Sequence, residues 1–245
     1  MDADCEKITP YKDNRDKASQ VREMFDNIAP AYDFMNRAMT FGIDRLWRRR
    51  AVSVLRRHGV NYILDIATGT GDLAIEMSRR LDPLGVTGID ISEKMVEIGM
   101  RKVADADLAD VVKLMKGDCM ELSFPDESFD CVTVAYGVRN FENLARGYAE
   151  MYRVLKPGGI VCVLELSTPR SFLVRPFYNL YANYLIPAVG KFVSNDSRAY
   201  TYLPESIAAV PQGDAMLSIM RDVGFRETHC RRMTFGTCSL YTALK

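Results

Sequence analysis

The chain has 245 residues, 48% of them apolar, with 32 Lys and Arg against 32 Asp and Glu. That length buries a substantial core and suits one α/β unit with embellishments. A net charge of zero supplies no global field to recruit nucleic acid.

Cysteine and histidine usage narrows the chemistry further. Six cysteines without a C-x-x-C spacing read as reduced cytosolic thiols, with Cys131 and Cys162 inside apolar runs. The two histidines, His58 and His229, are far apart in the sequence, which argues against a zinc site or a histidine-based triad. No metal is expected. The opening "MDADCEKITPYKDNRDKASQ" is polar and mixed in charge, unlike a signal or transit peptide. The uncharged stretch from Pro176 to Gly190 is too short for a membrane span.

Along the chain, residues 15–58 read as helical, with Val21, Met24, Phe25 and Ile28, then Leu46, Val52 and Leu55, at helical spacing. From there short apolar runs alternate with helical segments. Strands are expected at Tyr62–Ile66, Val86–Ile89, Val111–Met115, Cys131–Ala135 and Ile160–Leu166, and helices near 72–81, 92–103 and 142–155. This alternation predicts a parallel, doubly wound sheet covered on both faces. Residues 225–232 and 238–244 add two antiparallel strands around "FGTC". Five parallel strands followed by an antiparallel hairpin is the Rossmann-like α/β architecture of class I S-adenosylmethionine-dependent methyltransferases, here with N-terminal helices. We read 1–245 as one unit: a helical cap (15–58), a cofactor-binding core (59–166), a substrate-side insert (167–215), and a last helix with the hairpin (216–245).

The cofactor question turns on "YILDIATGTGDLAIEM", where Gly69 to Ala74 fit the dinucleotide pattern G-x-G-x-x-G/A. That pattern alone serves NAD and S-adenosylmethionine equally. Acids at Asp65 and Asp72 flank the turn and would repel a pyrophosphate, whereas Asp65 could hold an ammonium. Asp90 ends the second strand about 20 residues after the glycines, placed for ribose hydroxyls, which both ligands carry. Asp118, in "KGDCMELSF", suits the adenine amino group, with the Cys119 backbone beside the ring. Taken alone, each acid is as readily a helix N-cap, and Gly69 and Gly71 could serve only a tight turn. Four acids in register with strand ends favour S-adenosylmethionine. The expected cofactor-binding set is Asp65, Thr68, Gly69, Thr70, Gly71, Asp90, Ile91, Asp118, Cys119 and Ala135.

Beyond the glycine turn, "VREMFDNIAPAYDFMNRAMTFGIDRLWRR", "DIATGTGDLA", "FPDESFDCVTVAYGVRNFENLARGYAEMYRVLKPGG" and "RAYTYLPESIAAVP" resemble the C-methyltransferases of menaquinone and ubiquinone biosynthesis, from about residue 20 to the end. Thr68 stands where many relatives have a second glycine, Leu244-Lys245 where many end in Trp-Lys, and the final hairpin is altered. The resemblance implies methyl transfer from S-adenosylmethionine to a ring carbon of a reduced, prenylated quinone. A quinone is electron-poor and cannot attack an electrophilic methyl; a hydroquinone can, above all once a hydroxyl is deprotonated. The opening residues, unlike a transit peptide, favour the bacterial menaquinone type, with 2-demethylmenaquinol as acceptor and a benzoquinol precursor of ubiquinone as the alternative.

The resemblance gives Arg139 a catalytic role. Arginine is effectively never deprotonated, so electrostatic stabilisation of a developing phenolate suits it better than base duty. Its bland reading is an ion pair with Glu142. Asn140 either orients Arg139 or, the better reading, caps the next helix. Tyr32 and Asn36, one helical turn apart, join Arg139 as catalytic candidates, with plain packing an equal reading for Tyr32. Arg198, Tyr200 and Tyr202 are expected to line the acceptor site from the insert. "FLVRPFYNLYANYLIPAVGKFV" (172–193) reads as a core helix or as a lid for the prenyl tail, and "RLWRRRAVSVLRRHG" as a solvated face or an anionic-lipid contact. A cytoplasmic protein is expected, with peripheral membrane contact and self-association both open and no nucleic-acid partner. An NAD-dependent oxidoreductase and a non-catalytic cofactor-binding protein are the competing classes. A base-modifying enzyme is disfavoured by "AYGV" after the fourth strand, and a metal-assisted O-methyltransferase by the lack of a carboxylate cluster.

Overall fold

A computed structural model describes residues 3–181 and 196–245. Seven strands form one sheet: β1 (Tyr62–Ile66), β2 (Gly85–Asp90), β3 (Val112–Lys116), β4 (Phe129–Ala135), β5 (Leu155–Leu166), β6 (Arg226–Met233) and β7 (Cys238–Leu244). Their order is β3-β2-β1-β4-β5-β7-β6. The first five pair in parallel, and β7 runs antiparallel between β5 and β6. From β1 the chain winds outward to β3, then returns to place β4 on the other side of β1. Such a reversal opens a crevice beyond the carboxyl ends of the strands.

Ten described helices surround the sheet. The N-terminal ones are α1 (Asp4–Lys7), α2 (Lys17–Ile28), α3 (Tyr32–Thr40) and α4 (Ile43–Leu55). The segment expected to be helical over 15–58 is thus broken twice. Pro30 sits in a single 3-10 turn before α3, and Phe41-Gly42 adopt left-handed backbone before α4. Then follow α5 (Asp72–Leu81), α6 (Glu93–Asp105), α7 (Leu144–Val154), α8 (Arg175–Leu180), α9 (Ser197–Ala209) and α10 (Asp214–Val223).

Continuous apolar strands such as "YILDI" and "CVTVA" need cover on both faces. One face carries α7 and α10, with Tyr148, Met151, Met216 and Met220 packed on Leu64, Val132 and Val163. The other carries α4, α5 and α6, with Trp47, Leu55, Leu73 and Met77 packed on Ile63, Cys131 and Cys162. A third cluster, Met24, Ile28, Met35, Met95, Tyr200 and Tyr202, joins α2, α3 and α9 above the strand ends. The fifth strand begins five residues before the expected Ile160, so residues 156–159, "KPGG", fall inside it. They bulge within β5 between the pairs Phe129–Leu155 and Cys131–Ile160.

Candidate active site

The turn after β1 is held from behind. Asp65 is buried, and its two oxygens accept from the Thr68 and Thr133 hydroxyls, each at 2.6 Å. Burial pushes its carboxyl up to about 6. Gly69 and Gly71 have φ of 57° and 78°, the left-handed region that glycine occupies without strain. At Gly71 a side chain would also meet Leu114 Cδ1 at 3.0 Å. The Thr70 hydroxyl donates to Asp33 of α3 at 2.6 Å, and Lys102 bridges Asp33 and Asp72. Burial opposes ionisation of Asp72, but Arg48 and Lys102 outweigh it and hold that carboxyl below its usual range. This charge network straps α3 and α4 onto the turn.

In front of the turn lies a cavity lined by Ala67, Gly69, Asp90, Ile91, Asp118, Cys119, Ala135, Tyr136 and Asn140. Six of the ten expected cofactor residues therefore meet there: Gly69, Asp90, Ile91, Asp118, Cys119 and Ala135. Asp65, Thr68, Thr70 and Gly71 stand behind, bracing the turn. Asp90 accepts from the Gly69 N–H at 2.8 Å and the Ser92 N–H at 2.9 Å, and burial pushes its carboxyl up to about 6. It is not a helix cap; Ser92 caps α6. Asp118 accepts from the Met120 N–H through one oxygen, leaving the other without a donor among the described residues. Carboxylates at two strand ends, a backbone turn between them and apolar side chains around make a lining that fits an adenosyl ligand.

A second, apolar cavity adjoins the first, and Phe25, Tyr32 and Tyr136 line both. Its walls include Met24, Ile28, Met35, Met39, Trp47 and Leu203, with Tyr178, Tyr181, Tyr200 and Tyr202 above. Tyr32 and Asn36 both line this cavity, and the Tyr32 ring lies over Gly69. Tyr200 and Tyr202 line this cavity as expected from the insert. Arg198 does not, because its guanidinium stacks on the Tyr11 ring 5.6 Å away, at a separate surface cleft. Residues 182–193 of the expected lid lie outside the described residues.

Arg139 reaches the apolar cavity from the turn after β4. Its ion-pair partner is Glu165 of β5, at 2.9 Å, not Glu142. Register explains the difference: β4 and β5 run side by side, so their ends converge. Burial pulls the guanidinium's pKa down, but Glu165 and the flanking tyrosines outweigh it and hold the group charged. It also donates to the Tyr136 carbonyl. Arg139 Nε–H and the Tyr136 hydroxyl are left buried without a partner among the described residues. Such orphans cost free energy until a ligand satisfies them. Asn140 does not cap α7. Asn143 does so by accepting from the Arg146 N–H, which frees Asn140 to take the Tyr202 hydroxyl at 3.1 Å.

Lys17 is a participant the sequence did not announce. Its buried ammonium donates to the carbonyls of Cys5 at 2.6 Å and Arg139 at 3.1 Å, while its backbone N–H donates to Glu142. Burial pulls it down to about 8. It clamps the N-terminal segment onto the turn that carries Arg139. A lysine at the mouth of a helix reads as solvated, so only the packing reveals it.

Fold and site together define a class I S-adenosylmethionine-dependent methyltransferase. A SAM-dependent methyltransferase from Thermotoga maritima superposes with a TM-score of 0.64 at 22% identity, over 91% of this chain and 99% of that one. The chain belongs to the ubiE/COQ5 methyltransferase family, whose profile matches residues 11–245. It is 48% identical to a demethylmenaquinone methyltransferase of Bacteroides fragilis, covering 98% of each chain. It is 43% identical to a ubiquinone/menaquinone biosynthesis C-methyltransferase of Geobacter sulfurreducens, covering 99% of this chain and 95% of that one.

Proposed function

We propose that the enzyme methylates a ring carbon of a reduced, prenylated quinone, 2-demethylmenaquinol, giving menaquinol. One observation carries this reading: an apolar, aromatic cavity shares the wall Phe25, Tyr32 and Tyr136 with the cofactor cavity. A flat hydroquinol fits a site with that lining, and the names of the Bacteroides and Geobacter relatives support it. On this reading residues 15–58 cap both cavities, 59–166 hold the cofactor, and Tyr178, Tyr181, Tyr200 and Tyr202 of the 167–215 segment roof the acceptor.

When bound, S-adenosylmethionine supplies an electrophilic methyl group that leaves its sulfur as a neutral thioether. The protein's share is placement and charge. Tyr32 and Tyr136 set the acceptor ring against the cofactor cavity, and such positioning is a major source of rate. Arg139 offers its unpartnered Nε–H to the ring oxygen as negative charge builds there. A preorganised donor in a dry site is worth more than one in water. Glu165 keeps the guanidinium in place and Lys17 fixes its backbone.

Among the described residues no helix is long and apolar enough to cross a membrane. We place the enzyme against the bilayer surface by its exposed aromatics. Phe41 lines the apolar cavity and is 77% exposed, and Phe235 is 79% exposed beside the cavity residue Thr234. Sedimentation with anionic vesicles, lost in Phe41→Ser/Phe235→Ser, checks this.

The test of the reaction is transfer of labelled methyl, under anaerobic conditions, to short-chain demethylmenaquinol and to the benzoquinol precursor, each reduced and oxidised. Transfer to reduced demethylmenaquinol alone or faster supports the reading, and a benzoquinol preference reassigns the acceptor. No transfer to either, with cofactor binding intact, overturns it.

A further inference from the structure

Methylating a hydroquinol requires a place for a hydroxyl proton, and the apolar cavity offers few. Among the described residues lining it, the ionisable ones are Arg139, Asp44 and tyrosines. Arginine holds its proton and accepts nothing. A phenol that keeps its proton is not a base, and burial raises Tyr32, Tyr136, Tyr178, Tyr181 and Tyr202 above the ordinary phenol range. Asp44 is what remains.

Asp44 lies in the first turn of α4 and is 2% exposed. The Thr40 hydroxyl, whose one proton is shared between the Asn36 carbonyl at 2.7 Å and Asp44 Oδ1 at 2.8 Å, lies on one side, and Asp44 Oδ2 accepts from Arg48 at 2.6 Å. Each oxygen keeps a second lone pair. An aspartate in a helix's first turn paired with an arginine four residues on is an ordinary surface arrangement. Buried in an apolar cavity wall it is not, because taking a carboxylate out of water is costly, and here the pairing with Arg48 offsets that cost. The position also suits the chemistry. Trp47, three residues on from Asp44 in the same helix, meets the Tyr136 ring edge-on at 6.5 Å, and Tyr136 lines both cavities. Asp44, Trp47, Tyr136 and Arg139 thus line the same cavity.

We propose that Asp44 accepts the proton of the acceptor's ring hydroxyl; this rests on the acceptor being a hydroquinol. The O–H bond breaks toward Asp44, and its electron pair stays on the ring oxygen and spreads onto the adjacent ring carbon. That carbon uses the pair to bond the methyl group as the methyl–sulfur bond breaks, its electrons remaining on sulfur. The ring oxygen takes its proton back from Asp44, the freed carboxylate accepts the ring C–H proton to restore aromaticity, and Asp44 gives that proton to solvent as the product leaves. One proton is released overall. Arg139 and Asp44 thus divide the work: one stabilises the oxyanion, the other holds its proton.

The test uses the full chain with Asp44→Asn and Asp44→Glu. It takes demethylmenaquinol and ring-halogenated analogues whose hydroxyls are more acidic. Loss of a general base predicts a kcat about 10²–10³-fold lower for Asp44→Asn. Acidic analogues regain more rate in the variant than in the wild type. A purely structural Asp44 predicts a lowered Tm with every acceptor slowed by the same factor; that result, or an unchanged folded variant, overturns the proposal. If Asp44→Asn does not fold, the same comparison is made between Asp44→Glu and wild type, where equal gains from acidification overturn it. A wild type that methylates no quinol removes the acceptor, and the proposal falls with it.

Discussion

The two cavities that share Tyr32 and Tyr136 are built on different principles. The cofactor cavity is a backbone structure: strand ends of β1, β2 and β4, the turn after β3, left-handed glycines, and carboxylates that touch main-chain N–H groups. The acceptor cavity is assembled from side chains of α2, α3, α4, α9 and the β6–β7 turn, segments that meet only after the sheet has formed. Left-handed backbone at non-glycine residues marks both: Ala67 and Tyr136 at the cofactor side, Phe41 at the acceptor side. Strain of that kind costs roughly 1–3 kcal/mol per residue and persists where surrounding packing enforces it. The contrast suggests that cofactor binding tolerates little backbone change, while acceptor chemistry depends on a few polar atoms set in an apolar wall.

The largest effect that would sharpen this contrast is at Arg139. Arg139→Gln should lower kcat about 10²–10³-fold, or roughly 3–4 kcal/mol of transition-state stabilisation, while leaving cofactor affinity within about twofold. Because Glu165 would be stranded, the double variant with Glu165→Gln should recover Tm without recovering kcat. Equal loss of cofactor affinity, measured by titration with S-adenosylhomocysteine, would break the division between the cavities.

Gly71→Val attacks the other side. A β-branched residue at φ 78°, against Leu114 Cδ1 at 3.0 Å, should cost about 1–3 kcal/mol from the backbone alone. Thermal melting and cofactor titration should both register it. A variant that binds cofactor normally would show the turn to be less constrained than its geometry implies.

A smaller effect, of opposite sign for stability and function, is expected at Tyr136. Removing its orphan hydroxyl in Tyr136→Phe should stabilise the ligand-free protein by about 1 kcal/mol and raise the acceptor KM. A lower Tm would mean that the hydroxyl has a partner in solution.

Asp65 gives the smallest and most pH-specific prediction. Its folded carboxyl sits near 6 against an ordinary 3.8, so between those values the native state binds more protons than the unfolded one. Its contribution to stability is present at low pH and is lost as pH rises through about 6. Asp65→Asn, whose amide does not titrate and can still meet the Thr68 and Thr133 hydroxyls, should flatten that slope. Denaturant midpoints from pH 4 to 7 read it directly.

How far these features could be read in advance follows the same divide. The parallel strands, the helices α5, α6 and α7 and the terminal hairpin follow from apolar runs and helical spacing, which are local. The fifth strand starts at Leu155 and not at Ile160, with "KPGG" bulged inside it, because β4–β5 register pairs Phe129 with Leu155. Asp90, Asp118 and the glycine turn were legible for the same local reason: a strand end, a turn and a helix start are contiguous in sequence. The partner of Arg139 was not. Glu165 lies on a neighbouring strand, whereas Glu142, the guess proximity suggests, accepts from Lys17 instead.

The sequence by itself determined the doubly wound sheet, the cofactor turn and, by resemblance, the class of chemistry, since periodicity and motif spacing express short-range geometry. Only the tertiary structure decided that Asp65 braces the turn from behind, that Arg198 faces away, that Lys17 clamps Arg139 from below, and that Asp44 looks into the acceptor cavity. Each depends on which distant segments pack together, and a buried charge declares itself only once the surrounding water has been excluded.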